Sequence, residues 1–564
     1  MFRQEYPNPQ FEREKWQNLN GEWDFYIDYS VSGKDRKLFE NDGFEGKITV
    51  PFAPESVLSG VGNKDFMPSL WYLKKVMLKN PYKNGRTRLH FGAADYHTEL
   101  YINKKFVGRH DGGYSSFSFD ITDFISDGEN IITVNVIDDL RSGHQPAGKQ
   151  CKEFYSSGCN YTRTTGIWQT VWVEYLPQSY IVNFKIYPDI LNKKVDLQLN
   201  LQGCGELSAQ AYFEGRECGS VAVISHGGTL NLSIPLCELH LWDLGQGNLY
   251  DLHLKFNDDE VKSYFGMRSI AMQDGKFMLN GRSVFQRLVL DQGFYPDGIY
   301  TAKDEQELKR DIELSMACGF NGARLHEKVF EPRFLYHCDK MGYMVWGEHA
   351  NWGLDISDPA SLSVFLKEWM EVVERDFNHP SIVGWCPFNE TWDYDGRRQC
   401  DDTLRTVYRY TKIADPTRPC IDTSGWFHVE TDIFDIHDYN QNAEQFSRNI
   451  ETILSEGGTD FWIYKRQQYH NEPFFVSEYG GIQWDSANVG GWGYGSAPKT
   501  EEEFLERYQA LTESLLFNPK VFGFCYTQLY DVEQEVNGLY TYSRVAKFDV
   551  ERIKKINTQK AAIE

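Results

Sequence analysis

Two glutamates stand where a carboxylate is expensive. Glu390 closes the run Trp385-Cys386-Pro387-Phe388-Asn389, and Glu478 closes Phe474-Phe475-Val476-Ser477. A charge at the end of an apolar run costs free energy unless it is paired or put to use. One such glutamate is more often an ion-pair or capping partner than a catalyst. Two of them, on runs that can face each other, suit a reaction that needs two carboxyl groups. Hydrolysis of a glycosidic bond with retention is such a reaction: one carboxylic acid protonates the leaving oxygen and one carboxylate attacks the anomeric carbon. The acid must keep its proton near neutral pH through burial or the other carboxylate's charge. The nucleophile needs hydrogen bonds or a cation to stay ionised.

The elements around them must supply that opposition. From about residue 269 the chain alternates short apolar runs with amphipathic stretches. Strands are expected at Phe285–Leu290, Gly322–Leu325, Tyr343–Gly347, Ile382–Phe388, Pro419–Asp422, Ile433–Ile436, Phe474–Val476 and Gly523–Tyr526. Helical periodicity covers Asp304–Cys318, Glu331–Met341, Ser361–Phe377, Thr403–Ala414 and Glu501–Leu516. Eight strands in this rhythm predict a (β/α)₈ TIM barrel over 269–564, with Glu390 and Glu478 at the C-terminal ends of strands four and seven, where such barrels place their chemistry. No glycine-rich phosphate loop follows a strand, which counts against nucleotide chemistry. Residues 1–178 alternate short β runs with Gly, Asp and Asn and read as an antiparallel sandwich. Residues 179–268 have the length of one small immunoglobulin-like β-sandwich.

Composition narrows the partners. Asp and Glu number 81 against 58 Lys and Arg, and the net charge of −23 argues against nucleic acid and anionic membranes. The N-terminus lacks a basic start followed by an apolar run, and no stretch reaches about 18 apolar residues, so a cytoplasmic protein is expected. The 11 cysteines show no metal-ligand spacing and read as reduced thiols. No metal and no cofactor is expected. Aromatic residues reach 15%, which serves bulky β-cores and the flat faces of sugar-binding clefts alike.

The chain resembles glycoside hydrolase family 2, which includes β-galactosidases, β-glucuronidases and β-mannosidases. The resemblance rests on Leu19-Asn20-Gly21-Glu22-Trp23, Thr164-Thr165-Gly166-Ile167-Trp168, Leu279-Asn280-Gly281, Asn389-Glu390 and Ser477-Glu478-Tyr479-Gly480, in that order along nearly the whole chain. It implies a jelly-roll sugar-binding-like domain, an immunoglobulin-like sandwich and the barrel. It implies Glu390 as acid/base, Glu478 as nucleophile, Asn389 on the sugar 2-hydroxyl, and Arg324 beside Glu478. His326 matches the family's active-site histidine, although Leu325, Glu327 and Lys328 depart from its usual Ser, Tyr and Pro. Tyr439 corresponds to the strand-six tyrosine that contacts the nucleophile, Tyr526 to the strand-eight sugar floor, and Asn160 to a loop residue reaching the sugar. Asp291 is read either as an acceptor for sugar hydroxyls or as a turn cap. In the Gly- and aromatic-rich stretch 481–495, Trp484 or Trp492 is read either as a mobile rim on the leaving group or as packing under an ordered loop.

The resemblance implies a carbohydrate substrate, a β-glycoside or oligosaccharide, and family members often form homo-oligomers through the sandwich domains. An exo-acting β-galactosidase is the expected activity, with β-glucuronidase, β-mannosidase and arabinosidase as alternatives. A non-catalytic carbohydrate-binding protein is the alternative of another class. The family's uronate-gripping Asn-x-Lys motif is absent: the matching stretch is Asn537-Gly538-Leu539-Tyr540, while Asn518-Pro519-Lys520 precedes strand eight. A neutral sugar is therefore expected. Arg163 is the one cation considered for a sugar carboxylate, its other reading being a prop between domains.

Overall fold

The computed structural model describes residues 3–391, 398–425, 427–457, 467–485 and 490–564. In the N-terminal sandwich a six-stranded sheet packs on a four-stranded one. Its centre is the pair Ser69–Leu78 and Gly128–Ile137, antiparallel over their full length. Leu70, Tyr72, Val134 and Val136 point inward to meet Leu89, Val171 and Val173 of the second sheet. In the next sandwich, Tyr180–Asp189, Lys194–Gln202 and Gly228–Pro235 face a four-stranded sheet. The period of two is plain in Lys194–Gln202, where Val195, Leu197, Leu199 and Leu201 are buried and their neighbours are not.

The barrel strands are, in order, Gln286–Asp291, Gly322–Leu325, Met344–Glu348, Ile382–Cys386, Thr423–Ser424, Phe434–Asp438, Phe474–Gly480 and Val521–Thr527. Seven of them form one parallel sheet in the order four, three, two, one, eight, seven, six. Strand five joins through Phe388–Asn389, the continuation of strand four. The strand expected at Pro419–Asp422 thus forms slightly later. Within that span only Cys420 bridges to Trp385, while the Asp422 carboxylate accepts from the amides of Val429 and Glu430 and stabilises a turn.

Helices Glu305–Ala317, Pro332–Met341, Ser361–Asp376, Asp401–Ala414 and Glu501–Leu516 lie where the periodicity placed them. Asp304 and Thr500 cap two of them by accepting from the amides three residues on. The helix Ala443–Glu456 went unread, although its signals are present: Asn442 caps it, Gly457 ends it at φ 74°, and Phe446, Ile450, Ile453 and Leu454 form its buried stripe.

The first sandwich is fastened to the barrel through helix Ser361–Asp376. Buried Glu368 accepts from the amides of Tyr114 and Ser115, and Glu371 bonds Ser115 Oγ and His110. That attachment aims the sandwich loop 143–163 at the C-terminal mouth of the barrel, where Ala147 and Gly148 donate to the Trp352 carbonyl. No helix among the described residues is long and apolar enough to cross a membrane.

Candidate active site

A cavity of about 700 Å³ opens at the barrel mouth. Glu390 and Glu478 both line it, together with Tyr439, Asn160 and Thr527. Glu390 adopts φ 48°. A non-glycine residue in the left-handed region costs about 1–3 kcal/mol, a strain found often at functional sites. Its amide donates to the Ser424 carbonyl at 2.9 Å, which fixes the turn. Glu478 lies within strand seven and is in register with His437 on strand six.

His437 stands between the two carboxylates. Its Nδ1 is 2.7 Å from Glu390 Oε1, and its Nε2 is 3.4 Å from Glu478 Oε1. One carboxylate oxygen of each glutamate and a His437 nitrogen all lie within 4.8 Å of one another. Burial by itself lowers the His437 pKa, but the negative charges of Glu478 and Glu390 raise it above the ordinary value.

Arg324 organises the other side. It is buried, donates from Nε to Glu348 (2.6 Å), from Nη1 to Glu478 Oε1 (3.0 Å) and the Ser477 carbonyl, and from Nη2 to Asn389 Oδ1 (3.0 Å). Asn389 Nδ2 is left a buried donor without a protein partner. The Tyr439 hydroxyl donates to Glu478 Oε2. Burial raises the Glu478 carboxyl pKa, yet the surrounding groups, His437 foremost and then His326, Arg324 and Lys149, overcome it and hold the group at about 2. His326 lies 3.2 Å from Glu348 and 3.9 Å from Glu478. Burial and the nearby charge of Lys149 drive its pKa well below the usual histidine value.

Glu390, Glu478, Tyr439 and Asn160 thus meet at one cavity, with Asn389, Arg324 and His326 bonded around them. Three other expected residues sit elsewhere. Asp291 is buried and its Oδ1 accepts from Gly293 N and the Tyr530 hydroxyl, so it closes a turn, while its neighbours Leu290 and Gln292 line the cavity. Tyr526 packs on Tyr479 and on Tyr508 of helix Glu501–Leu516, so its ring lies on the helix side of strand eight. Strand alternation gives the cavity to the next residue, Thr527. Trp484 packs on Phe504 and Phe548, and the Trp492 indole N–H donates to the Gly158 carbonyl. The same loop instead offers Tyr494, whose ring stacks on Tyr439 at 3.6 Å. Residues 486–489 of that stretch, and Trp392 after the Glu390 motif, lie outside the described residues. Arg163 donates to the carbonyls of Cys151, Glu153 and Lys64 and props its own loop, outside the cavity.

Sequence reasoning did not single out His437, Glu348, Tyr494, Lys149, Trp352 or Glu535. His437 had a signal, being two residues before Tyr439 on the same strand. Glu348 had one too, ending the apolar run of strand three, whereas Lys149, Trp352, Tyr494 and Glu535 come from loops whose approach no local pattern encodes. Glu390, His437 and Glu478 are close enough to share a cation, but both His437 nitrogens already face carboxylates and Arg324 bonds Glu478, so the donor set suits proton and hydrogen-bond chemistry better than a metal.

Comparison with known proteins places the chain in a family. Residues 58–172 match the model for the sugar binding domain of glycosyl hydrolases family 2, and residues 270–510 match that family's TIM barrel domain. A putative β-glucuronidase of Formosa agariphila is 25% identical over 519 residues, covering 84% of this chain and 57% of that protein. A β-galactosidase of Leuconostoc mesenteroides is 25% identical over 521 residues, covering 82% of this chain and 47% of the other. The chain thus spans about half the length of these two relatives. Solved β-glucuronidase structures from an uncultured Clostridium (TM-score 0.79, 20% identity, 97% of this chain and 98% of that one) and from Dictyoglomus thermophilum (0.78, 19%, 98% of each) share the fold from end to end.

Proposed function

The chain belongs to glycoside hydrolase family 2, and from that premise we propose that it is a retaining exo-acting β-glycosidase with Glu390 as acid/base and Glu478 as nucleophile. The observation that carries this reading is the approach of the two carboxylates to within 4.8 Å across one cavity. Retaining pairs stand about 5–5.5 Å apart, whereas inverting pairs leave about 6.5–9.5 Å for a water. Glu478, held ionised by His437 and Arg324, attacks the anomeric carbon while Glu390 gives its proton to the leaving oxygen. Water then attacks the glycosyl-enzyme, losing a proton to Glu390 and freeing Glu478. The free Nδ2 of Asn389 donates to the 2-hydroxyl, a contact that strengthens as charge develops at the anomeric carbon.

For the sugar, the reading is a neutral hexoside, with the β-galactoside as first candidate. A uronate must be held by a cation or several donors. On the strand-eight side the cavity presents the carboxylate of Glu535, and Arg163 is spent on its own loop. The β-glucuronide is the competing substrate, favoured by the buried cation Lys149 and by relatives of that name. A panel of nitrophenyl β- and α-glycosides tests both levels. A β-glycoside should be cleaved, neutral ahead of uronide, and Glu478→Gln should abolish turnover of all. Cleavage confined to α-glycosides, or full activity in Glu478→Gln, defeats the reading.

A further inference from the structure

Lys149 is a buried lysine with 6% exposure that lines the cavity. Its ammonium lies 4.0 Å from the Trp352 ring centroid. Among the described residues it makes no ion pair within 4 Å and its Nζ donates no hydrogen bond. An ammonium so buried without a carboxylate or carbonyl is costly and is kept where something else is to accept from it. Its position is firmly built. Gly148 before it adopts φ 56° and packs so closely that an added Cβ would lie 2.4 Å from the Glu327 carbonyl, and the Lys149 carbonyl accepts from Tyr161 N at 2.7 Å.

The same Tyr161 reaches across to the barrel. Its hydroxyl donates to Glu535 Oε2 at 2.5 Å, while Asn537 Nδ2 donates to Oε1 at 2.9 Å. Glu535 is 2% exposed and lines the cavity too. Each of its oxygens keeps a lone pair for a further donor. Burial raises the Glu535 carboxyl pKa, and the charge of Lys149 and the bond from Tyr161 oppose that rise. The cavity therefore holds an ammonium with donors to spare and a carboxylate with acceptors to spare, set by one tyrosine from two domains.

We propose that Lys149 and Glu535 form a donor–acceptor clamp that reads two neighbouring hydroxyls of a neutral sugar, Lys149 donating to one and Glu535 accepting from the other. This rests on the glycosidase reading above and adds its specificity device. A hydroxyl pair satisfies both groups with no net charge brought in, whereas a sugar carboxylate would have to share the Lys149 ammonium with the carboxylate of Glu535.

The test crosses variants with deoxy sugars at pH 7. The nitrophenyl glycoside of the best neutral sugar is compared with its 3-, 4- and 6-deoxy analogues on wild type, Lys149→Met and Glu535→Gln, all checked for an unchanged thermal transition. In wild type, deleting a read hydroxyl should cost about 10–100-fold in kcat/KM, the worth of a hydrogen bond to a charged group. In Lys149→Met that penalty should nearly vanish at one position, and in Glu535→Gln at the neighbouring one. Binding of the free sugars to Glu478→Gln enzyme should repeat the pattern without turnover. Unchanged deoxy penalties in both variants overturn the clamp. So does a wild type that prefers the glucuronide and loses that preference in Lys149→Met. A wild type that binds the free sugars with this pattern but hydrolyses none of the β-glycosides counts against the roles of Glu390 and Glu478 instead.

Discussion

At the residue scale the site is a problem in keeping two like charges apart in function while close in space. Glu478 is pulled to about 2 by cations, so at every pH above that it is ionised and ready to attack. The acid limb of kcat/KM in the free enzyme should then not report Glu478. Arg324→Met removes one of those cations; the Glu478 pKa must rise, which an NMR titration of the labelled glutamate carboxyls reads directly. The same change leaves Glu348 and Glu478 buried with less compensation, and should cost about 3–5 kcal/mol in denaturant unfolding. A Glu478 titration that stays in place contradicts the role given to Arg324. For Glu390, substitution by Gln should hurt glycosides with poor leaving groups most and spare activated aryl glycosides, which need little protonation. Azide should partly rescue Glu390→Ala by entering the vacated space as a nucleophile. Rescue of the position-478 variant alone would mean that the two roles are exchanged.

At the scale of elements, the strand ends were legible and the loops were not. The strands carrying Arg324, Asn389, His437 and Glu478 stand out because a polar residue ends an apolar run. Tyr526 shows where that reasoning stops. Its strand was expected, but which face it takes depends on a register that a bare run of apolar residues does not give, and the ring went to the helix layer. The two glycines after Glu478 have a physical cause that the structure supplies. Gly480 sits at φ 79° with an added Cβ 2.4 Å from the Tyr526 ring, and Gly481 at φ 58° with one 2.4 Å from Tyr494. Gly481→Ala must push Tyr494 off Tyr439, the residue that hydrogen-bonds Glu478. A misplacement of this size should lower kcat/KM by about 10- to 100-fold with the fold retained by circular dichroism. Wild-type rates would show that the Tyr494 stack does not position Tyr439.

Across the whole molecule, the cavity belongs to no single unit. Lys149 and Asn160 come from the first sandwich, and Glu535 and Tyr494 from barrel loops. These long-range meetings are what the sequence could not disclose, since no periodicity links residue 149 to residue 535. Their geometry depends on the docking of the sandwich through Glu368, whose Oε1 accepts two buried amides. Glu368→Ala strands both N–H groups at about 1–3 kcal/mol each. It should lower the thermal transition and weaken KM, because the loop carrying Lys149 and Asn160 loses its anchor. An unchanged KM in a destabilised variant would uncouple docking from substrate binding.

The most direct test of the central claim is covalent trapping. Incubation with an activated 2-deoxy-2-fluoro-β-glycoside of the sugar that the enzyme hydrolyses best slows release of the glycosyl-enzyme, and peptide mass spectrometry then locates the sugar. The account predicts one equivalent of label on Glu478 in the peptide containing Ser477-Glu478-Tyr479. Label on Glu390, or steady hydrolysis with a product of inverted configuration and no label, would contradict it.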